Sequence, residues 1–208
     1  MSPALTDPRL AALAALLAYP QEKPGSVLEA TAVALEDDPG AGDAVEAFAA
    51  RVSELPLPAL QEEYTRSFDL APLTIPYVTV HMYGEESYKR GRTMAWLKDQ
   101  LQEAGIETSG ELPDHLRLVL TYAAGLEADE REALLTFCVK RPARQMLEQL
   151  SKGQSAYAHL LAAISSVVGE PEIEEESGES QIPDWYALSG ESCHGLLDPS
   201  LKRDSFRD

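Results

Sequence analysis

Residues 111–122 read Glu-Leu-Pro-Asp-His-Leu-Arg-Leu-Val-Leu-Thr-Tyr. Proline fixes φ and has no N–H to donate, so Pro113 belongs at the opening of a helix and not inside one. Beyond it, Leu116, Leu118, Val119, Leu120 and Tyr122 are apolar on nearly every side, the pattern of a central, mostly buried helix. Such a helix must be covered by other elements, and the composition predicts that these are helices too. Aromatic residues make up only 7% of the chain, alanine and leucine are plentiful, and no alternating strand pattern of useful length occurs.

Upstream, helix signals recur. Asp7-Pro8 supplies an N-cap and a first-turn proline ahead of Leu10, Leu13, Leu16 and Leu17, and Tyr19-Pro20 stops that helix. Ser26 with Glu29 reads as a capping box opening a segment to about Leu35, and Asp38-Pro39-Gly40 breaks it. Asp43 with Glu46 repeats the box before Val45, Phe48 and Val52. After Pro56 and Pro58, Leu60, Tyr64 and Phe68 fall on one face of a helix over about Ala59 to Phe68. From Asp69 to Glu86 the periodicity fails. Pro72 and Pro76 forbid regular helix, while Thr74, Tyr77, Val78, Thr79 and Val80 favour extended backbone, which predicts a long ordered loop. Ser87, Met94, Leu97 and Leu101 restart a helix that Gly105 ends.

Downstream, Asp129 with Glu132 forms another box, Pro142 kinks or breaks the segment after it, and Ser155 caps a helix to about Val168. The predicted architecture is an all-α helical bundle over residues 1–168. Residues 169–208 form an acidic, partly disordered tail: Glu170, Glu172, Glu174, Glu175, Glu176 and Glu179 alternate with Ser and Gly, before Trp185, Tyr186, Leu188, Leu196 and Leu197. That tail either docks on the domain, contacts a partner or stays solvated.

The net charge of −18 repels phosphate backbones and anionic lipid headgroups, so nucleic acid and membrane are poor partners and a basic peptide a good one. Met-Ser-Pro lacks a signal peptide's basic start, and no apolar run is long enough to span a bilayer; the expected location is the cytoplasm. Catalytic signatures are lacking. There is no Gly-rich phosphate loop, nucleophile elbow or His-Glu-x-x-His pair. His81, His115, His159 and His194 do not pair at helical spacing, and adjacent Cys193-His194 is poorly spaced for chelation, so no metal or other cofactor is expected. Cys138, among Leu134, Leu135, Phe137 and Val139, reads as a buried small hydrophobe. The Asp114-His115 pair admits two readings: a helix cap, or a carboxylate and imidazole bordering a groove that receives a peptide's cationic side chains.

The order of short motifs from residue 64 onward carries a resemblance. The chain reads Tyr64-Thr-Arg-Ser-Phe68-Asp69-Leu70, Pro76-Tyr77, His81-Met-Tyr-Gly84-Glu85, Arg90-Gly91-Arg92-Thr-Met94, Gly105-Ile106 and Glu111-Leu-Pro-Asp114-His115-Leu116. Leu16-Leu-Ala-Tyr19-Pro20 precedes them. This pattern resembles the delta-subunit assembly chaperones of respiratory nitrate reductase (NarJ) within the wider TorD/DmsD redox-enzyme maturation family, with Ile75-Pro76-Tyr77-Val78 closer to the TorD/DmsD form. The resemblance implies a non-enzymatic, all-helical chaperone, a monomer or weak homodimer. It would bind the twin-arginine or vestigial signal peptide of a molybdopterin oxidoreductase's catalytic subunit until the cofactor is inserted. By the same resemblance Tyr64 and Phe68 line an apolar groove near Tyr19, Pro76 and Tyr77 come from the peptide-binding loop with His81 close behind, and Asp114 and His115 take part in recognition. A permanent accessory subunit of a redox complex is the alternative; a nucleotide-handling enzyme would need a phosphate cradle that the sequence does not offer.

Overall fold

In the computed structural model, the structure describes residues 6–171. Helix α1 (Pro8–Leu16) begins as predicted, with the Asp7 carboxylate accepting from the Arg9 amide at 3.1 Å and Pro8 in the first turn. Helices α2 (Gly25–Ala34) and α3 (Pro39–Val52) begin elsewhere than expected. Ser26 lies inside α2, which has no side-chain cap, and Asp38 caps α3 by accepting from the Ala41 amide at 3.1 Å. Asp38-Pro39 therefore starts a helix as it ends a connection, because proline is tolerated where no intrahelical donor is needed. Asp43 is left inside α3.

Helix α4 (Leu57–Phe68) follows Pro56, and the chain then runs irregularly over 69–77. The expectation of extended backbone fails at 78–83, which forms helix α5 (Val78–Tyr83), closed by Gly84 at φ +80°. Val78 and Thr79 are fully buried, so packing overrides the β preference of branched side chains. Helix α6 (Tyr88–Glu103) is closed by Gly105 at φ +68°. Helix α7 (Leu116–Ala123) starts later than the motif suggests, with His115 as its N-cap and residues 111–115 forming a turn. Helix α8 (Ala128–Leu134) has Asp129 inside its first turn, where its charge complements the helix dipole instead of capping. A π-helical turn, Leu135–Val139, joins it to α9 (Lys140–Lys152). Pro142 cannot donate to the Cys138 carbonyl, and the helix takes up that loss by widening one turn, without breaking. Ser155 Oγ accepts from the Tyr157 amide at 3.0 Å to open α10 (Tyr157–Val168), which ends at Gly169, φ +81°.

The result is an all-α bundle. Helix α10 packs on α3, α9 and α1, α1 also packs on α7 and α2, and α5 packs on α9 and α6. Leu116, Leu118, Val119 and Leu120 of α7 are at most 1% exposed, as the sequence predicts for a central helix. Cys138 is fully buried and free. Among the described residues, no helix is long and apolar enough to cross a membrane. The acidic run from Glu172, together with Trp185, Tyr186, Leu188, Cys193-His194, Leu196 and Leu197, lies outside the described residues.

Segment 69–77 is held at both ends. The amides of Leu73 and Thr74 donate to the Arg66 and Ser67 carbonyls at 3.2 and 3.1 Å, and Thr74 Oγ1 bonds Gln149. Leu73 lies so close over Gly153 that a Cβ there would come within 2.5 Å of its Cδ1, so only glycine admits the contact without a shift. At the far end an isolated antiparallel bridge joins Tyr77 to His115, with Leu116 N–H donating to Pro76 at 2.8 Å and Val78 N–H to Asp114 at 2.9 Å. This stitching brings residues 76–78 against the start of α7.

Candidate functional site

Four of the expected residues meet in one crevice. The i, i+4 spacing of Tyr64 and Phe68 stacks them on the same face of α4, ring centroids 5.1 Å apart. Both rings pack on Tyr157 of α10, at 5.7 and 5.0 Å, and Tyr157 in turn packs on Phe48. The bridge adds Pro76 and His115. Tyr64, Phe68, Pro76 and His115, with Leu17, Leu116 and Met146, line a narrow apolar crevice with about 200 Å³ of empty space, counting the part open to solvent. Tyr19 stands edge-on to Tyr64 at 5.3 Å and is 43% exposed, so it presents an aromatic face to solvent. Gln61 holds this turn by donating to the Pro20 carbonyl at 2.9 Å, and Tyr64 donates its hydroxyl to Leu17 at 3.4 Å.

The other expected residues lie around this crevice in different roles. Tyr77 packs edge-on to His115 at 5.7 Å and donates its hydroxyl to Glu111 at 2.9 Å. His81 Nε2 lies 2.7 Å from the Ile75 carbonyl, which makes His81 a brace of the loop. His115 caps α7 with Nδ1 accepting from the Arg117 amide at 3.1 Å, so its ring proton sits on Nε2. Asp114 is fully buried and is no rim carboxylate. It accepts from the Thr79 hydroxyl and lies 3.9 Å from the Arg90 guanidinium.

Burial sets the protonation of the whole group. It pushes Tyr64 up to about 12, and pushes Tyr77 up to about 12 with help from Glu111. It lowers His115 to about 4 and raises the Asp114 carboxyl and the Cys138 thiol above their ordinary values. Near neutral pH the tyrosines and the imidazole are therefore uncharged, and nothing in the crevice is activated as a nucleophile or base. Among the described residues no group of three or more His, Cys, Asp and Glu is placed to hold a metal ion. What the arrangement offers is a closely packed apolar and aromatic lining without a charged group at neutral pH.

Sequence reasoning missed Tyr157, Leu17, Met146 and Glu111. Tyr157 sits on a different element from Tyr64, and no local pattern links them. Glu111 was in view as part of the turn, but its bond to Tyr77 depends on the bridge.

The family profile described as nitrate reductase delta subunit matches residues 34–163, well over half of the chain. A probable nitrate reductase molybdenum cofactor assembly chaperone NarJ of Bacillus subtilis (strain 168) is 35% identical over 104 residues, 50% of this chain and 55% of that protein. The nitrate reductase molybdenum cofactor assembly chaperone NarJ of Escherichia coli (strain K12) is 39% identical over 71 residues, 34% of this chain and 30% of that protein. The aligned part thus spans about half of the Bacillus protein's length and less than a third of the Escherichia protein's.

Proposed function

Because this chain belongs to the nitrate reductase delta subunit family, we propose that it is an assembly chaperone for a nitrate reductase or a closely related molybdenum enzyme. It binds the N-terminal peptide of the catalytic subunit in the cytoplasm and holds that subunit until its cofactor is in place. It does no chemistry of its own. The observation that carries this reading is the aromatic crevice between α4, the 69–77 segment and α7, with Tyr19 half-exposed at the Tyr64 edge.

A signal peptide pairs basic residues with an apolar stretch and is disordered until bound. Ordering it costs entropy, which the crevice offsets by burying apolar surface at roughly 25 cal/mol per Å². The crevice is narrow as it stands, so entry requires side chains at its mouth to move apart. Tyr19, 43% exposed, is the side chain at that mouth with room to turn aside. Tyr19 and Tyr77 then act as rigid aromatic anchors, the residue type that dominates hot spots.

The test is calorimetric titration with a synthetic peptide of the N-terminal segment of the molybdenum-enzyme catalytic subunit encoded nearest to this chain. Saturable one-to-one binding is expected, weakened about tenfold by Tyr19→Ala, a loss of about 1.4 kcal/mol. If the peptide does not bind while the intact subunit still co-purifies, recognition lies on another surface.

A further inference from the structure

Helix α9 divides its residues between two faces. Pro142, Ala143, Met146 and Leu150 are buried, and Met146 lines the crevice. At about 100° per residue, Arg141, Arg144, Glu148 and Lys152 fall within one stripe on the far side, and all of them are exposed. The stripe is roughly 16 Å long at the helical rise. Arg51 of α3, also exposed, continues it by donating from Nη2 to the Gln154 carbonyl at 3.4 Å, just beyond the helix end.

These cations are left to solvent. Glu148 stands four residues from both Arg144 and Lys152, the spacing at which opposite charges on a helix meet, yet it pairs with neither. Among the described residues no carboxylate forms an ion pair with Arg51, Arg141, Arg144 or Lys152. Lys140, by contrast, is nearly buried and bonded to Glu132. Only Lys152 lies in the last turn of α9, where a cation complements the helix dipole. Four of the 13 residues of α9 are basic, against 17 among the 208 of the chain, so the sign of the surface is inverted locally.

The charge of the remainder selects the partner. A long polyanion, or a sheet of anionic lipid, would extend past the stripe onto a body of net charge −18. A short acidic segment would not, since screening at 0.1 M salt confines what it senses to about 10 Å. We propose that the outer face of α9, with Arg51 at its end, docks an acidic segment of a partner protein, its carboxylates spaced along about three turns of helix. The surface lies on the back of the helix whose inner face reaches the crevice, so it is a second site and stands independently of the peptide-binding reading.

The experiment follows the NMR signals of the full chain during titration with a blocked helical peptide whose glutamates repeat at i, i+3, i+7 and i+11, and with a scramble of the same composition. Saturable shifts confined to α9 and Arg51 are expected, with the scramble about fivefold weaker. Arg141→Gln with Arg144→Gln is expected to weaken the spaced peptide about tenfold, while Lys89→Gln with Lys98→Gln, which removes the same charge elsewhere, changes it less than about twofold. Shifts scattered over every exposed lysine and arginine, equal loss in both double variants, or equal binding of the scramble would reduce the stripe to ordinary surface charge and overturn the proposal. Anionic vesicles or single-stranded DNA binding at α9 as tightly as the peptide would also overturn it, as would self-association of the chain through α9. Absence of binding by the spaced peptide at about 50 mM salt ends it outright. Should the arginine double variant fail to fold, the shift map of the unaltered chain decides by itself.

Discussion

His115 does two things that a proton would undo: its Nδ1 caps α7, and its ring packs uncharged between Tyr77 and the crevice. Burial lowers its pKa to about 4 from an ordinary 6.5, so between those values the unfolded chain binds a proton that the folded chain does not. Stability therefore falls as pH drops through that window, by up to about 1.4 kcal/mol per pH unit. Asp114 acts oppositely at the acid end: burial raises its pKa, so the folded chain takes that proton first as pH falls and recovers part of the loss. His115→Asn keeps a cap acceptor but cannot titrate. Urea midpoints between pH 7 and 4 are expected to lose most of their slope in this variant; an undiminished slope would mean that another group carries it.

At the scale of elements, the described helices owe their starts to different things, and the sequence distinguishes these only in part. Asp7-Pro8 and Gly105 act within one turn of the chain and were legible as start and stop. The boxes at Ser26, Asp43 and Asp129 match a pattern, yet none caps a helix in the fold. The α3 start falls at Asp38, whose carboxylate also lies 3.3 Å from Ser166 of α10 and 3.9 Å from Arg9 of α1. Partners from two other helices favour the earlier start. Asp38→Ala is expected to cost about 1 kcal/mol in chemical denaturation, and Asp43→Ala to stay within about 0.5 kcal/mol. The reverse ranking would restore the box at Asp43. The start of α10 obeys the same logic, since Glu63 of α4 accepts from both the Ala156 amide, at 2.8 Å, and the Ser155 hydroxyl, at 2.9 Å.

For the whole molecule, the net charge of −18 acts at long range and the crevice at contact. Steering by the acidic body speeds encounter with a basic peptide, and salt screens it over roughly 10 Å at 0.1 M. Stopped-flow binding at about 50 and about 300 mM salt should show a marked drop in on-rate with little change in off-rate, whereas Tyr19→Ala should act chiefly on the off-rate. If salt changed only the off-rate, the charge would be acting through close ion pairs and not through steering.

By itself the sequence determined the helical class, the breaks at Pro20 and Pro56, the buried α7 and the i, i+4 pairing of Tyr64 with Phe68. Each of these depends on interactions within a turn or two of the chain, or on an apolar periodicity that water alone is enough to turn inward. Only the tertiary structure decided that 78–83 is helical, that Tyr157 closes the aromatic cluster, and that Asp114 faces Thr79 and Arg90 with no exposure to solvent. The physical reason is the same in each case. Burial and hydrogen-bond satisfaction are settled by partners tens of residues away, and where those partners are strong they override the local preference of the segment they receive.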